Sequence, residues 1–233
     1  LFLFSGSVYG QEEVKKEYWD NGKLKSETHW KDGKKDGIKT SYYETGEKKA
    51  EVHFKNGEPE GLETAWYKNG KKEYEIHYKN GEKEGLGTGW YKTGEKAGEV
   101  HFKNGKAEGL ATEWYKNGKK ESTQHFKNGK EEGLETRWYV TGQKEVETHY
   151  KNGKKDGFTI WYWYGYGNKQ SEDHFRDGKK DGLSTEWYED GTKKCESHYK
   201  DGMKDGVWTE WYENGTKHWE EHYKDGEPVK EVA

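Results

Sequence analysis

The chain has 233 residues, 45 of them acidic and 41 basic, for a formal net charge of −4, and only 28% are hydrophobic although 16% are aromatic. The charges interleave along the chain and leave no basic block to track a phosphate backbone, which counts against nucleic acid as a partner. The single Cys195 excludes an intrachain disulfide, no apolar run is long enough to span a membrane as a helix, and the aromatic content argues for a folded chain despite 37% charged residues.

In chain order, the first ten residues differ from the rest. Leu1-Phe2-Leu3-Phe4 is apolar, and Val8-Tyr9-Gly10 puts small residues three and one positions before Gln11. This reads as the tail of a secretory signal peptide and predicts export to the periplasm or cell surface, with the cytoplasm as the alternative.

From residue 11 to 226 the chain repeats. His29, His53, His77, His101, His125 and His149 fall 24 residues apart, and His174, His198 and His222 follow after one 25-residue step. Only His218 lies outside that register. A fixed period of this length marks a repeat architecture, here nine units in one array, with residues 227–233 as a tail. In such an array each unit contacts mainly its neighbours, so no central core is required. Trp, Tyr and Phe should then supply most of the burial, and that burial should be shallow.

One unit shows the local structure. Gly61-Leu62-Glu63-Thr64-Ala65-Trp66-Tyr67 is followed by Lys68-Asn69-Gly70, then Lys71 to Tyr78, then Lys79-Asn80-Gly81. Two short β-prone runs, each closed by a turn ending in Gly, predict an all-β tandem hairpin array: an elongated, twisted antiparallel meander of about 18 strands. At roughly 4.8 Å per strand it would extend on the order of 85 Å. Pro59 and Pro228 both follow a turn Gly, where a strand starts and an amide is most easily spared.

Thr45, Thr93 and Thr141 precede a turn Gly in three units. A β-branched residue resists positive φ, so this turn should be a three-residue loop with a type I turn and Gly in the left-handed bulge position. Extended along the strands, that loop pairs Tyr67 with Lys71, Trp66 with Lys72, Thr64 with Tyr74 and Leu62 with Ile76. It predicts an apolar face of Leu62, Thr64, Trp66, Tyr74, Ile76 and Tyr78, and a polar face of Glu63, Ala65, Tyr67, Glu73, Glu75 and His77. Along the array the apolar face becomes a stripe of Trp66, Trp90, Trp114, Trp138, Trp163, Trp187 and Trp211.

The repeated histidines do not suggest a metal site. Equivalent positions two strands apart are separated by about 9.6 Å, too far to share one ion. Every Glu and His on the polar face, Glu75 and His77 among them, recurs as part of the repeat, so no catalytic constellation stands out and no cofactor is implied. Cys195 occupies a slot held elsewhere by Ser26, Ala50, Tyr74 and Val146, which reads as a packing position.

The period fails once. Thr159-Ile160-Trp161-Tyr162-Trp163-Tyr164-Gly165-Tyr166-Gly167 holds an extra residue, and an insertion of this kind suggests a bulge that re-aims side chains. Trp161, Tyr162, Trp163, Tyr164 and Tyr166 are therefore the candidate binding residues, because aromatics dominate binding hot spots. Glu75, His77 and Tyr67 represent the repeated polar face.

Units such as His77-Tyr78-Lys79-Asn80-Gly81-Glu82-Lys83-Glu84-Gly85-Leu86 followed by Trp90-Tyr91-Lys92-Thr93-Gly94-Glu95 resemble the bacterial MORN-repeat variant, of the YwqK type associated with toxin–antitoxin antitoxins, over roughly residues 17 to 226. The resemblance implies a β-hairpin array serving as a binding or scaffolding surface, with no catalytic residues to transfer. The spacing departs from the eukaryotic MORN pattern, so contact with a membrane surface is not expected. The leading expectation is a non-catalytic scaffold for a protein partner; a carbohydrate or cell-wall binding module and an antitoxin neutralising a partner toxin are the alternatives.

Overall fold

The computed structural model describes residues 11–229; the segment read as a signal remnant lies outside the described residues. Twenty-two strands and no helix form among them. They fall into two units, Leu1–Lys106 and Ala107–Ala233, and in each the chain runs as an antiparallel meander. The count exceeds 18 for a local reason. In three repeats the first strand is interrupted, as in Glu82–Lys83 followed by Gly85–Trp90, and a short strand Glu227–Pro228 ends the described array.

Two turn types alternate. The Tyr67 N–H donates to the Lys71 carbonyl at 2.8 Å and the Gly70 N–H to the Tyr67 carbonyl at 2.9 Å, with Gly70 at φ +79°. This is the three-residue loop expected from Thr45, Thr93 and Thr141. The other turn has two residues: Lys79 pairs with Glu82 across Asn80 and Gly81, at φ 51° and 80°. Both central residues are left-handed, the type I′ geometry that Asn-Gly and Asp-Gly favour, and all nine copies carry Asn or Asp there.

The predicted register holds at the turn and fails beyond it. Trp66 pairs with Lys72, but Ala65 pairs with Tyr74, so Glu73 is an unpaired bulge residue. One slip re-sorts every side chain. Leu62 faces His77, Thr64 faces Glu75 and Glu63 faces Ile76, rather than Leu62 facing Ile76 and Thr64 facing Tyr74. The observed faces are therefore Leu62, Thr64, Trp66, Glu75 and His77 on one side, and Glu63, Ala65, Tyr74, Ile76 and Tyr78 on the other. The turn fixes only the pairs beside it, and because no second layer packs on these hairpins among the described residues, neither face has to be dry and the bulge can mix them. His218, the histidine out of period, sits in the bulge slot of the last unit: Glu210 pairs with Trp219 and Trp211 with Lys217.

A second bulge lies beyond the I′ turn. Phe54 pairs with Pro59 and Val52 with Glu63, so His53 stands opposite Glu60, Gly61 and Leu62. In the equivalent place Gly157 has φ +109°, and a Cβ there would come 3.1 Å from the His149 Cβ. The same approach recurs at Gly37, Gly182 and Gly206, where a Cβ would come 3.0, 3.2 and 3.0 Å from the facing His Cβ and only Gly fits, but not at Gly61, Gly85, Gly109 or Gly133, where it would meet nothing within 4 Å.

The tightest burial is polar and small, not aromatic. Thr159 is 1% exposed, and Thr28, Thr64, Thr112, Thr136, Thr148, Thr185 and Thr209 are buried, against only Ala65, Val146 and Ile160 among the described hydrophobic residues. On a single layer the large rings lie over the small central side chains and remain half-covered themselves. Lysines complete the cover: the Lys48 ammonium lies 5.3 Å from the Trp66 ring centre and 2.8 Å from Glu51. Lys193 repeats the arrangement over Trp211, at 5.4 Å.

Candidate functional site

Successive repeats are zipped together along both edges. At the I′ edge the Glu60 carboxylate accepts the Asn80 N–H at 2.7 Å, and the Pro59 carbonyl accepts the Gly81 N–H at 3.0 Å. At the three-residue edge the Tyr67 hydroxyl donates to the Trp90 carbonyl at 2.8 Å, and Asn69 Nδ2 to the Lys92 carbonyl at 2.8 Å. Tyr67, expected on the polar face, thus belongs to an edge ladder. Glu75 and His77 do share a face, and Glu75 is held by Lys72 and by the Thr64 hydroxyl at 3.4 Å.

The extra residue near position 160 lies in a loop rather than in a strand bulge. The Trp163 N–H donates to the Asn168 carbonyl at 2.9 Å, closing the four-residue loop 164–167 where other units have three. Tyr162 pairs with Lys169 as Trp138 does with Lys144, so the strands keep their register. Position for position, Tyr162 occupies the slot of Trp138, and Trp163 that of Tyr139. Trp163 therefore leaves the predicted Trp stripe, and its indole Nε1 donates to the Trp187 carbonyl at 3.1 Å in place of a tyrosine hydroxyl. A polar hydrogen at the ring edge is what the ladder requires, and both residues supply it.

The five aromatic candidates are thus placed in three ways. Trp161 pairs with Val146 and Ser171 on the face that carries Ala65 and Ile76. Tyr162 lies on the opposite face with its hydroxyl on Glu147, and burial together with that carboxylate raises its phenol well above the ordinary range. Burial would raise Glu147, but hydrogen bonds from Lys144 and Tyr162 hold it below the usual carboxylate value. Trp163 is committed to the ladder. Tyr164 and Tyr166 remain, 57% and 62% exposed at the loop tip.

They are not alone. The Tyr164 ring stands edge-on to Tyr139 at 4.9 Å and 85°, and Gln143 Nε2 donates to the Gly165 carbonyl at 3.3 Å. The preceding turn presents Val140, 53% exposed. Val140, Tyr164 and Tyr166 form an apolar step on two consecutive turns. The flanking turns carry Lys116-Asn117-Gly118 and Glu189-Asp190-Gly191. The sequence reading missed Val140, although it is the only aliphatic residue to open a three-residue turn.

Elsewhere the surface is shallow. An open groove is lined by Lys71, Lys72, Trp90, Thr93, Gly94 and Glu95. Cys195 has its thiol pushed up to about 11 by burial, with Glu186 and Glu210 adding to the shift, so at neutral pH it is a thiol and not a nucleophile. Among the described residues no group of three His, Cys, Asp or Glu side chains is placed to hold a metal ion.

No curated protein matches the chain. Among solved structures, a crystal structure of TcdB2–TccC3–Cdc42 is similar over 92% of this chain at 12% identity and a TM-score of 0.23, and one of TcdB2–TccC3 over 92% at 12% identity and 0.22. The chain spans 14% of the length of each. The family model described as MORN repeat variant matches seven segments, 14–32, 35–56, 59–80, 107–128, 131–152, 180–201 and 204–225, together more than half of the residues. With hairpin units in the same places, the chain belongs to the MORN repeat variant family.

Proposed function

We propose that this repeat scaffold is non-catalytic and binds a protein partner through the apolar step at Val140, Tyr164 and Tyr166. The exposure of these three side chains on adjacent turns of an otherwise charged edge carries the reading. Large exposed rings with a polar rim are what protein interfaces bury at their centres. A ladder of internal hydrogen bonds holds the loop on both sides, so little ordering entropy is lost on binding.

The test is a variant with Val140→Ser, Tyr164→Ala and Tyr166→Ala, compared with the parent for capture of partner from the native source and for thermal unfolding. Capture should fall at least tenfold while the melting temperature is kept. A folded variant that captures its partner as well as the parent would overturn the reading. Retention of the parent, but not the variant, on purified glycan or cell wall would replace the protein with a carbohydrate ligand.

A further inference from the structure

The I′ edge of the second unit carries a feature that the alternating charges of the sequence conceal. Lys127 pairs directly with Lys130, Lys151 with Lys154 and Arg176 with Lys179, on three consecutive turns. All six side chains are exposed. Arg176 reaches Asp181 at 3.1 Å, but the five lysines make no ion pair among the described residues. Asn128, Asn152 and Asp177 stand at the three turn tips, and the N–H of each is bound by a carboxylate of the preceding hairpin, Glu108, Glu132 and Asp156, while the lysine side chains flank these tips.

Like charges directly opposite one another destabilise a hairpin, and this fold does not require them. In the first unit the same two positions hold Lys31 with Lys34 at one turn, but Lys55 with Glu58 and Lys79 with Glu82 at the next two. The turns are also in register along the array: a Cβ on Gly153 would lie 3.7 Å from the Lys130 Cβ, and one on Gly178 3.9 Å from the Lys154 Cβ. The cationic pairs therefore recur once per two strands, about 9.6 Å apart.

We infer that this row is a second interaction surface, independent of the aromatic step, for an extended acidic segment of a protein with a carboxylate at every third residue. An extended chain in the polyproline II conformation advances about 9.3 Å per three-residue turn. One carboxylate would then sit between Lys127 and Lys130, the next between Lys151 and Lys154, and a third between Arg176 and Lys179. Each contact relieves a repulsion that the free fold carries, so the preference is for spaced anions over a diffuse charge.

Titrating the full chain with a labelled proline-containing peptide bearing Glu at every third position, and with an isomer of the same composition whose Glu residues are clustered, tests this. The spaced peptide should bind at least tenfold more tightly, and its binding should weaken as salt rises. Lys130→Glu with Lys154→Glu and Lys179→Glu, which recreates pairs already present at Lys55 and Lys79, should abolish that preference without lowering the melting temperature. The milder set Lys130→Gln with Lys154→Gln should give an intermediate loss. Equal binding of both peptides, an unaffected triple variant, or tighter binding of polyphosphate or a sulfated polysaccharide than of the spaced peptide would each overturn the proposal. None of these results bears on the aromatic step, whose variant leaves the lysines in place.

Discussion

The Tyr67 hydroxyl donates a hydrogen bond to the Trp90 carbonyl, 2.8 Å away and one repeat further along the chain. Tyr43 makes the same bond to Trp66 at 2.8 Å, Tyr115 to Trp138 at 2.6 Å and Tyr188 to Trp211 at 2.9 Å. The repeats are therefore fastened to one another by side chains as well as by strand pairing. Tyr67→Phe keeps the ring and removes only the donor. It should cost about 1 kcal/mol, the usual net value of such a bond, read as a lower midpoint in urea denaturation. An unchanged midpoint would mean that the ladder contributes nothing to coupling between repeats.

The two turn types predict opposite responses to one substitution. Asn69 sits where three other units carry Thr, in a turn whose only positive φ is at Gly70. Asn69→Thr strains no backbone and loses only the side-chain bond to the Lys92 carbonyl, so it should cost no more than about 1 kcal/mol. Asn80 holds φ 51° in the I′ turn, and its N–H is bound by Glu60. Asn80→Thr should cost about 1–2 kcal/mol, because a β-branched residue resists the left-handed region. Thermal unfolding of the two variants side by side checks the contrast; equal losses would contradict the turn assignment.

That contrast also shows what was legible in the sequence. The three-residue turn followed from Thr45, Thr93 and Thr141, since a β-branched residue reports on φ directly. The hairpin array followed from the period. The strand register did not, because it was extended from the turn as if no bulge intervened, and among the described residues these hairpins have no second layer to hold the apolar and polar faces apart. The bulge at Glu73 carries no sequence mark: its slot holds Lys25, Lys49, Glu73, Ala97 and His218 in different units. At the candidate site the extra residue and the exposed Tyr164 and Tyr166 were readable. The exchange of roles between Tyr162 and Trp163 was not, since adjacent aromatic letters do not say which of them faces the ladder.

Placing the insertion in the loop has a mechanical consequence. Deleting Gly165 leaves three residues between Trp163 and Asn168, the number found in the other units, and leaves the Tyr162–Lys169 pair untouched. The melting temperature should shift by no more than a few degrees, a ΔΔG of about 1 kcal/mol or less. Deleting Ile160 from the strand Lys154–Tyr162 should instead invert every following side chain up to the loop and unfold the unit. If circular dichroism melts showed the two deletions to be equally damaging, the insertion would have to lie in the strand.

Alkaline pH should loosen the first unit at one identifiable place. Burial, then the Glu63 carboxylate, raises the Tyr78 phenol from 10.0 to about 12, and Tyr74, bonded to Glu63 Oε1 at 2.8 Å, is raised further by the same two causes. In the unfolded chain both ionise near 10. The folded state thus holds its protons more tightly: the stabilisation is fully present below about pH 10 and is lost as pH rises through the folded values. Unfolding free energy measured from pH 9 to pH 12 should fall across this window. Tyr74→Phe combined with Tyr78→Phe should flatten the fall, since neither ring can then ionise, and Glu63→Gln should reduce it by removing the charge that opposes ionisation. A variant lacking both phenols that lost stability as steeply as the parent would place the alkaline transition elsewhere in the array.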